Sequence, residues 1–199
     1  KSLMLNYKTK PTINKEALSL YFQLTYIPAP YSIYDGVKKL LPNHYLEVDL
    51  NTLEIIESEI SKSIPQKISN ISFKKAKKIT HDLVMESVSS RSISDVPIGT
   101  FLSGGVDSSI VSLCLSKTKD IPIDTFSLGF DKKSFDETEK SRLVSKNINS
   151  KHHEFIVNSK SLEEDLENVI LNYDEPFADS SALPTYLVSK LTSSHVKVA

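Results

Sequence analysis

The chain has 199 residues, 24 Lys plus Arg against 25 Asp plus Glu, five His and a formal charge of -1, which excludes the basic bias of a nucleic-acid wrapper and a polybasic membrane patch. Hydrophobic residues at 39% and charged residues at 25% describe a foldable, globular composition, not a disordered one. One cysteine excludes a disulfide framework, and no apolar run reaches the roughly 18 residues of a membrane span, so a reducing, cytoplasmic setting is expected.

In chain order, Asn14 is placed to cap a helix whose Leu18, Tyr21, Phe22 and Thr25 fall on one face. Ile27-Pro28-Ala29-Pro30 is expected to be extended, because Pro disfavours helix at its predecessor. His44 to Asp49 and Glu54 to Ile60 alternate like two strands around a turn at Leu50 to Leu53. Ser61 to Asn70 is polar, carries Pro65 and has neither period, so it reads as a linker. Residues 1–60 are too few for a core of their own and read as the tail of a larger α+β domain. After the linker, residues 71–199 change rhythm. Ser72 opens a helix through Ala76, Ile79, Leu83, Val84 and Val88, and Ile98 to Leu102 is a short buried strand. Ser108 to Ser116 is a helix, Asp124 to Phe130 a strand, and Asp136 to Asn147 a helix with Asp136 and Glu139 in capping-box spacing. His153 to Val157 is a third strand, and Ser161 to Tyr173 a helix turning Leu162, Leu166, Val169 and Ile170 inward. Pro184 to Ser193 is a helix with Pro in its first turn, and Val196 onward starts a fourth strand. Alternating strands and helices predict an α/β fold with a doubly wound parallel sheet, its strands ordered third, second, first, fourth. The chain starts without Met and stops in the apolar run Val196 to Ala199, so both ends are expected to continue.

Three of the five glycines, Gly99, Gly104 and Gly105, fall within seven residues. The run from Val96 to Ser109 passes from strand through loop into helix. Adjacent glycines allow a sharp turn and bring backbone N–H groups close to a ligand. Ser103, Ser108 and Ser109 add hydroxyls, and a helix start aims its unpaired N–H groups and positive dipole end at the same place. That is an anion site suited to phosphate. It is no Walker loop, since no Lys follows the glycines. The Gly-x-Gly-x-x-Gly spacing and the Gly-x-Ser-x-Gly elbow are likewise missing. Ser-Gly-Gly-x-Asp-Ser after an apolar strand resembles the loop of enzymes that split ATP into AMP and pyrophosphate.

The segments SDVPIGTFLSGGVDSSIVSLCLSK around that loop, TFSLGF (Thr125 to Phe130), FDET (Phe135 to Thr138) and DEPFADSSALPTYLVSK (Asp174 to Lys190) resemble the glutamine-hydrolysing asparagine synthetase family. YIPAPYSIYDGVKKLLPNHYLEV (Tyr26 to Val48) resembles the end of its N-terminal-nucleophile glutaminase domain. Asn43 stands where many relatives have Gly, and Asn tolerates a left-handed backbone. The resemblance implies an adenine nucleotide α-hydrolase-like synthetase domain over 71–199. It implies ATP as substrate, held by Leu102, Ser103, Gly104, Gly105, Asp107, Ser108, Ser109 and Leu128, and Mg²⁺ at Asp107. Leu102 and Leu128 would frame the adenine, and a loop at Asp174, Glu175, Asp179 and Ser180 would face the acceptor. The implied reaction adenylates the aspartate side chain, and ammonia from glutamine then gives asparagine, AMP and pyrophosphate. Partners are then small molecules (ATP, aspartate, glutamine or ammonia), with no nucleic acid and no membrane, and a homodimer stays open.

Two other readings stand beside this one: amidation of another carboxylate, such as a uronic acid, and a non-catalytic nucleotide sensor. The family's glutaminase nucleophile is an N-terminal Cys. Cys114 lies inside the helix after the loop and reads as a small buried residue, so this stretch alone is expected to hydrolyse no glutamine. The family's second acidic glycine-rich loop would follow a strand like Val196 to Ala199. Asp107 could instead serve the helix dipole, Asp136 and Glu137 read as helix caps, and the 174–181 run is equally explained as a helix-leading loop. Adjacent His152 and His153 point to opposite faces of a strand and cannot chelate together.

Overall fold

In a computed structural model of the protein, residues 11–60, 70–131 and 136–199 are described; Ser61 to Ser69, most of the expected linker, and Phe135 of the FDET segment fall outside them. The described chain divides into two compact units. One holds residues 11–60 and Ile170–Ser180, the other residues 70–131, 136–169 and Ser181–Ala199.

In the first unit Asn14 caps α1 (Lys15–Leu24), its Oδ1 accepting the Ala17 N–H at 2.9 Å. The buried stripe centres on Ala17, which joins Ile27 and Ile33 in a small core flanked by Leu18, Tyr21, Tyr31 and Tyr34. Phe22 lies one step round the helix from that stripe and is 77% exposed, contrary to its expected inward place. Thr25 is a left-handed C-cap, not a face residue. The Pro stretch turns instead of extending: the Tyr31 N–H donates to the Pro28 carbonyl at 3.0 Å, and the Ala29–Pro30 bond is cis. β1 (His44–Val48) and β2 (Ile55–Glu59) form the expected antiparallel hairpin, with His44 opposite Glu59 and Val48 opposite Ile55. Asn43 does take a left-handed φ of 63°. In the hairpin turn the Asp49 carboxylate accepts the N–H groups of Thr52 and Asn51, which hold its pKa below the usual carboxylate value.

In the second unit Ser72 caps α2 (Phe73–Arg91) as expected. No residue of α2 is buried, although its sequence has an apolar stripe. Then come β3 (Gly99–Phe101), α3 (Val106–Thr118), β4 (Asp124–Phe130), α4 (Thr138–Ile148), β5 (Lys151–Val157), α5 (Ser159–Asn172), whose residues from Ile170 on count with the first unit, and α6 (Ala182–Thr192). β3, β4 and β5 pair in that order, all parallel, with Phe101 opposite Phe126 and Asp124 to Phe130 opposite Lys151 to Val157. On the other side of β3, Ile98 bridges Val198 in parallel, the Gly99 N–H donating to the Val198 carbonyl at 2.9 Å. The order third, second, first, fourth is therefore met as far as this bridge extends. Thr125, Phe126 and Ser127 of β4 are all buried, as a parallel strand covered on both faces requires. Phe126, Val188 and Val196 form the core, with Leu128 and Phe155 against it.

Three helix expectations need correction. α3 starts two residues before Ser108, because Gly105 occupies the N-cap without a side-chain bond. Asp136 does not build a capping box with Glu139; its carboxylate takes the N–H and hydroxyl of Thr138 at 3.2 and 3.0 Å. On α5 the buried residues include Asp165 and Val169, while Leu166 and Ile170 are exposed. Asp165 is tolerated inside because both its oxygens accept from Lys190 Nζ at 2.8 Å, which also lowers its pKa.

Candidate active site

The carboxyl ends of β3 and β4 open into a cavity of about 270 Å³. Ligands of open α/β sheets bind at that end. Leu102 is fully buried just after β3, its N–H donating to the Phe126 carbonyl at 2.7 Å. Leu102, Ser103 and Leu128, three of the expected nucleotide residues, line the cavity with Phe126, Ser127 and Phe130. Pro184, Thr185 and Val188 of α6 close another side, and Glu137 and Ser141 stand at the start of α4.

Beyond Ser103 the chain turns at Gly104, where φ is +80°. A Cβ on Gly104 would lie 2.5 Å from Lys140 Cβ and 2.7 Å from both the Lys140 carbonyl carbon and the Ser141 nitrogen. Glycine is needed there on both counts. Gly105 is different: its φ and ψ of -68° and 165° suit any residue, and the nearest atom to an added Cβ is Ser103 Oγ at 3.3 Å. Only one of the adjacent glycines is thus demanded by the turn itself. The Gly105 N–H donates to Ser103 Oγ at 3.3 Å, Ser103 and Ser108 hydroxyls meet at 3.0 Å, and Ser108 Oγ donates to the Gly105 carbonyl.

The first bond within α3 runs from the Ser109 N–H to the Gly105 carbonyl at 3.1 Å. The N–H groups of Val106, Asp107 and Ser108 precede it, as in the first turn of any helix. Asp107 sits exposed in that turn. Ser109 Oγ is buried and, among the described residues, has no hydrogen-bond partner. The eight expected nucleotide residues therefore gather at one end of the sheet.

The chain matches the asparagine synthase family over residues 80–199. It belongs to that family. A putative glutamine-hydrolysing asparagine synthetase of Methanocaldococcus jannaschii is 38% identical over 193 residues, covering 95% of this chain and 36% of that protein. Glutamine-hydrolysing asparagine synthetase 1 of Bacillus subtilis is 29% identical over 187 residues, covering 94% of this chain and 29% of the relative. An ammonia-dependent NAD synthetase structure from Campylobacter jejuni has a TM-score of 0.37 at 16% identity, over 62% of this chain and 53% of that one. The chain spans about a third of the length of these asparagine synthetase relatives.

Within this asparagine synthase family chain, the four residues expected to face the acceptor, Asp174, Glu175, Asp179 and Ser180, belong to the first unit, not to the unit that carries the loop. There Glu175 pairs with Lys39, whose ammonium also donates to the Ile27 carbonyl at 2.5 Å. The Ala178 N–H donates to the Thr25 carbonyl at 2.9 Å. Cys114 is buried within α3. Among the described residues no three His, Cys, Asp or Glu side chains group to hold a metal, and no helix is long and apolar enough to cross a membrane. Mg²⁺ is compatible with that, because it keeps several waters and needs only one or two carboxylates beside nucleotide phosphates. Asp107 is an exposed carboxylate in the first turn of α3.

From the amino end to the middle of β4 and β5 polar groups are paired. His152 bonds Thr125 Oγ1 through Nδ1 at 2.9 Å and Ser127 Oγ through Nε2 at 3.2 Å. Burial lowers its pKa, an effect that Glu154 opposes and that His153 and Arg142 reinforce. His153 turns the other way, bonding Asp124 at 2.7 Å and stacking on Phe126 with centroids 4.9 Å apart. His195 meets the His153 ring edge-on at 4.4 Å. Arg142 grips Glu154 with two bonds of 2.7 and 2.6 Å.

Sequence reading missed several wall residues: Phe130, Ser141, Pro184 and Thr185, with Glu137 read only as a cap. A signal existed, since Glu137 and Pro184 lie in segments that carry the family resemblance.

Proposed function

We propose that this chain carries the ATP-cleaving half of an enzyme that amidates the aspartate side chain. Residues 71–199 would be the synthetase domain, and residues 1–60 the end of a glutaminase domain that supplies ammonia. The observation behind this reading is the cavity at the strand ends, walled by Leu102 and Leu128 and by Ser103, where the loop to α3 begins. Adenine would lie between the two leucines. The polyphosphate would lie over the first-turn N–H groups of Val106, Asp107 and Ser108 and the hydroxyls of Ser103, Ser108 and Ser109. Asp107 would hold Mg²⁺, which when bound neutralises phosphate charge.

A carboxylate oxygen of aspartate attacks the α-phosphorus, and the bond from that phosphorus to the bridging oxygen breaks. Pyrophosphate leaves, and the loop N–H groups stabilise the charge that gathers on its oxygens. Ammonia then attacks the acyl carbon of the β-aspartyl-adenylate, AMP departs with the bonding pair, and the nitrogen loses a proton to give asparagine. Adenylation is needed because AMP is a far better leaving group than a carboxylate oxygen.

Exchange of labelled pyrophosphate into ATP by the full-length protein tests this step without glutamine or ammonia. Exchange should depend on aspartate. Exchange with a uronic acid instead would move the acceptor, and nucleotide binding without exchange for any carboxylate would favour a sensor.

A further inference from the structure

The cavity poses an electrostatic problem. Its one charged wall residue among those described is Glu137, an anion where the proposed ligand is itself highly negative. The loop carries no lysine of its own. Yet Lys140 Nζ donates to Glu137 Oε1 at 2.9 Å. Lys140 also arises directly beside the loop, since its Cβ and backbone occupy the space a Cβ on Gly104 would need. Its side chain is 64% exposed and so remains free to turn. A lysine stem spans several rotatable bonds and carries three donors, which makes exchange between nearby anions inexpensive.

We infer that Lys140 is the cation of the phosphate site, covering Glu137 while the cavity is empty and turning to the phosphate oxygens of a bound nucleoside triphosphate. This rests on the ATP reading above. Glu137 then acts as a resting partner that is given up on binding, so it works against affinity while helping to hold Lys140 near the loop. The ion pair itself is an exposed one within a single helix turn and so is weak enough to exchange. A phosphate oxygen carries more charge and accepts several donors at once.

The test is calorimetry on the full-length protein with ATP, inorganic pyrophosphate and adenosine. Lys140→Gln should weaken ATP and pyrophosphate by about tenfold, the loss of one exposed charge-assisted bond, and leave adenosine unchanged. Lys140→Arg should restore most of the loss. Glu137→Gln should tighten ATP severalfold, because the lysine no longer has a competing anion; weaker binding in that variant would make Glu137 a ligand-holding group and overturn the exchange. Unchanged ATP binding in Lys140→Gln would overturn the inference while leaving the ATP reading intact. Equal loss for ATP and adenosine would also overturn it. Wild-type protein that binds adenosine but neither ATP nor pyrophosphate would overturn both.

Discussion

The two ends of the sheet differ in how completely their buried polar groups are paired. At the amino end of β4 and β5, Thr125 bonds both Ser150 and His152, and Asp124 takes His153. At the carboxyl end of β3, the first-turn amides of α3 precede any helical bond, and Ser109 Oγ is buried without a partner among the described residues. A buried unsatisfied hydroxyl costs stability, on the order of 1–3 kcal/mol. Polar groups at the amino end thus serve the fold, while at the other end a buried hydroxyl beside the Ser103–Ser109 loop is left over.

That contrast can be broken most severely at Asp107. Asp107→Asn in the full-length protein keeps size and a good residue near the helix start, so melting should barely move, by well under about 1 kcal/mol. Aspartate-dependent pyrophosphate exchange should fall by roughly a hundredfold or more, since the only carboxylate between Ser103 and Ser109 is gone. Normal exchange in the variant would reduce Asp107 to a helix-dipole residue.

The two glycines sharpen the contrast within the loop itself. Gly104→Ala should destabilise by about 1–2 kcal/mol from its backbone conformation alone, with more from the collision against Lys140 and Ser141. Gly105→Val should cost stability only about 1 kcal/mol or less, as an N-cap change, but weaken ATP by crowding the phosphates. Chemical denaturation and ATP titration of both variants check the pair. A more damaging effect on stability at Gly105 would reverse their roles.

The smallest effect belongs to the amino end. Burial holds the His152 pKa below its ordinary 6.5. Below 6.5 and above the lowered folded-state pKa the unfolded chain binds more protons than the folded one, so stability is fully present above about pH 6.5 and is lost as pH falls through the folded-state pKa. His152→Gln should flatten melting temperature between pH 7.5 and 5.5 relative to wild type, while exchange at pH 7.5 stays close to normal. An unchanged slope would assign the acid sensitivity to another group.

Local pattern carried the second unit well and tertiary context less so. β4 is where its residues said it would be, Asp124 to Phe130, because a short apolar run between turn signals has few other uses. The loop was readable because its glycines and serines act through neighbours in sequence. The start of α3 was placed late because serine is a stronger N-cap signal than the Gly105 that holds the position. Phe22, Leu166 and Ile170 are exposed although their spacing predicts burial, because a helical period reveals a stripe but not whether another layer covers it. Lys140 could not be read at all, since its approach to Gly104 joins positions 36 apart and exists only once α4 packs.

That approach has a consequence for motion. With no Cβ between them, the loop backbone and the first turn of α4 rest directly on each other. Lifting the loop would break this packing, so its opening is expected to loosen the first turn of α4 as well. Amide hydrogen exchange at Gly105 and at Ser141 should then proceed as one cooperative unit and slow together when a nucleotide arrives. A stretch of chain 36 residues downstream would thereby keep time with the Ser103–Ser109 loop.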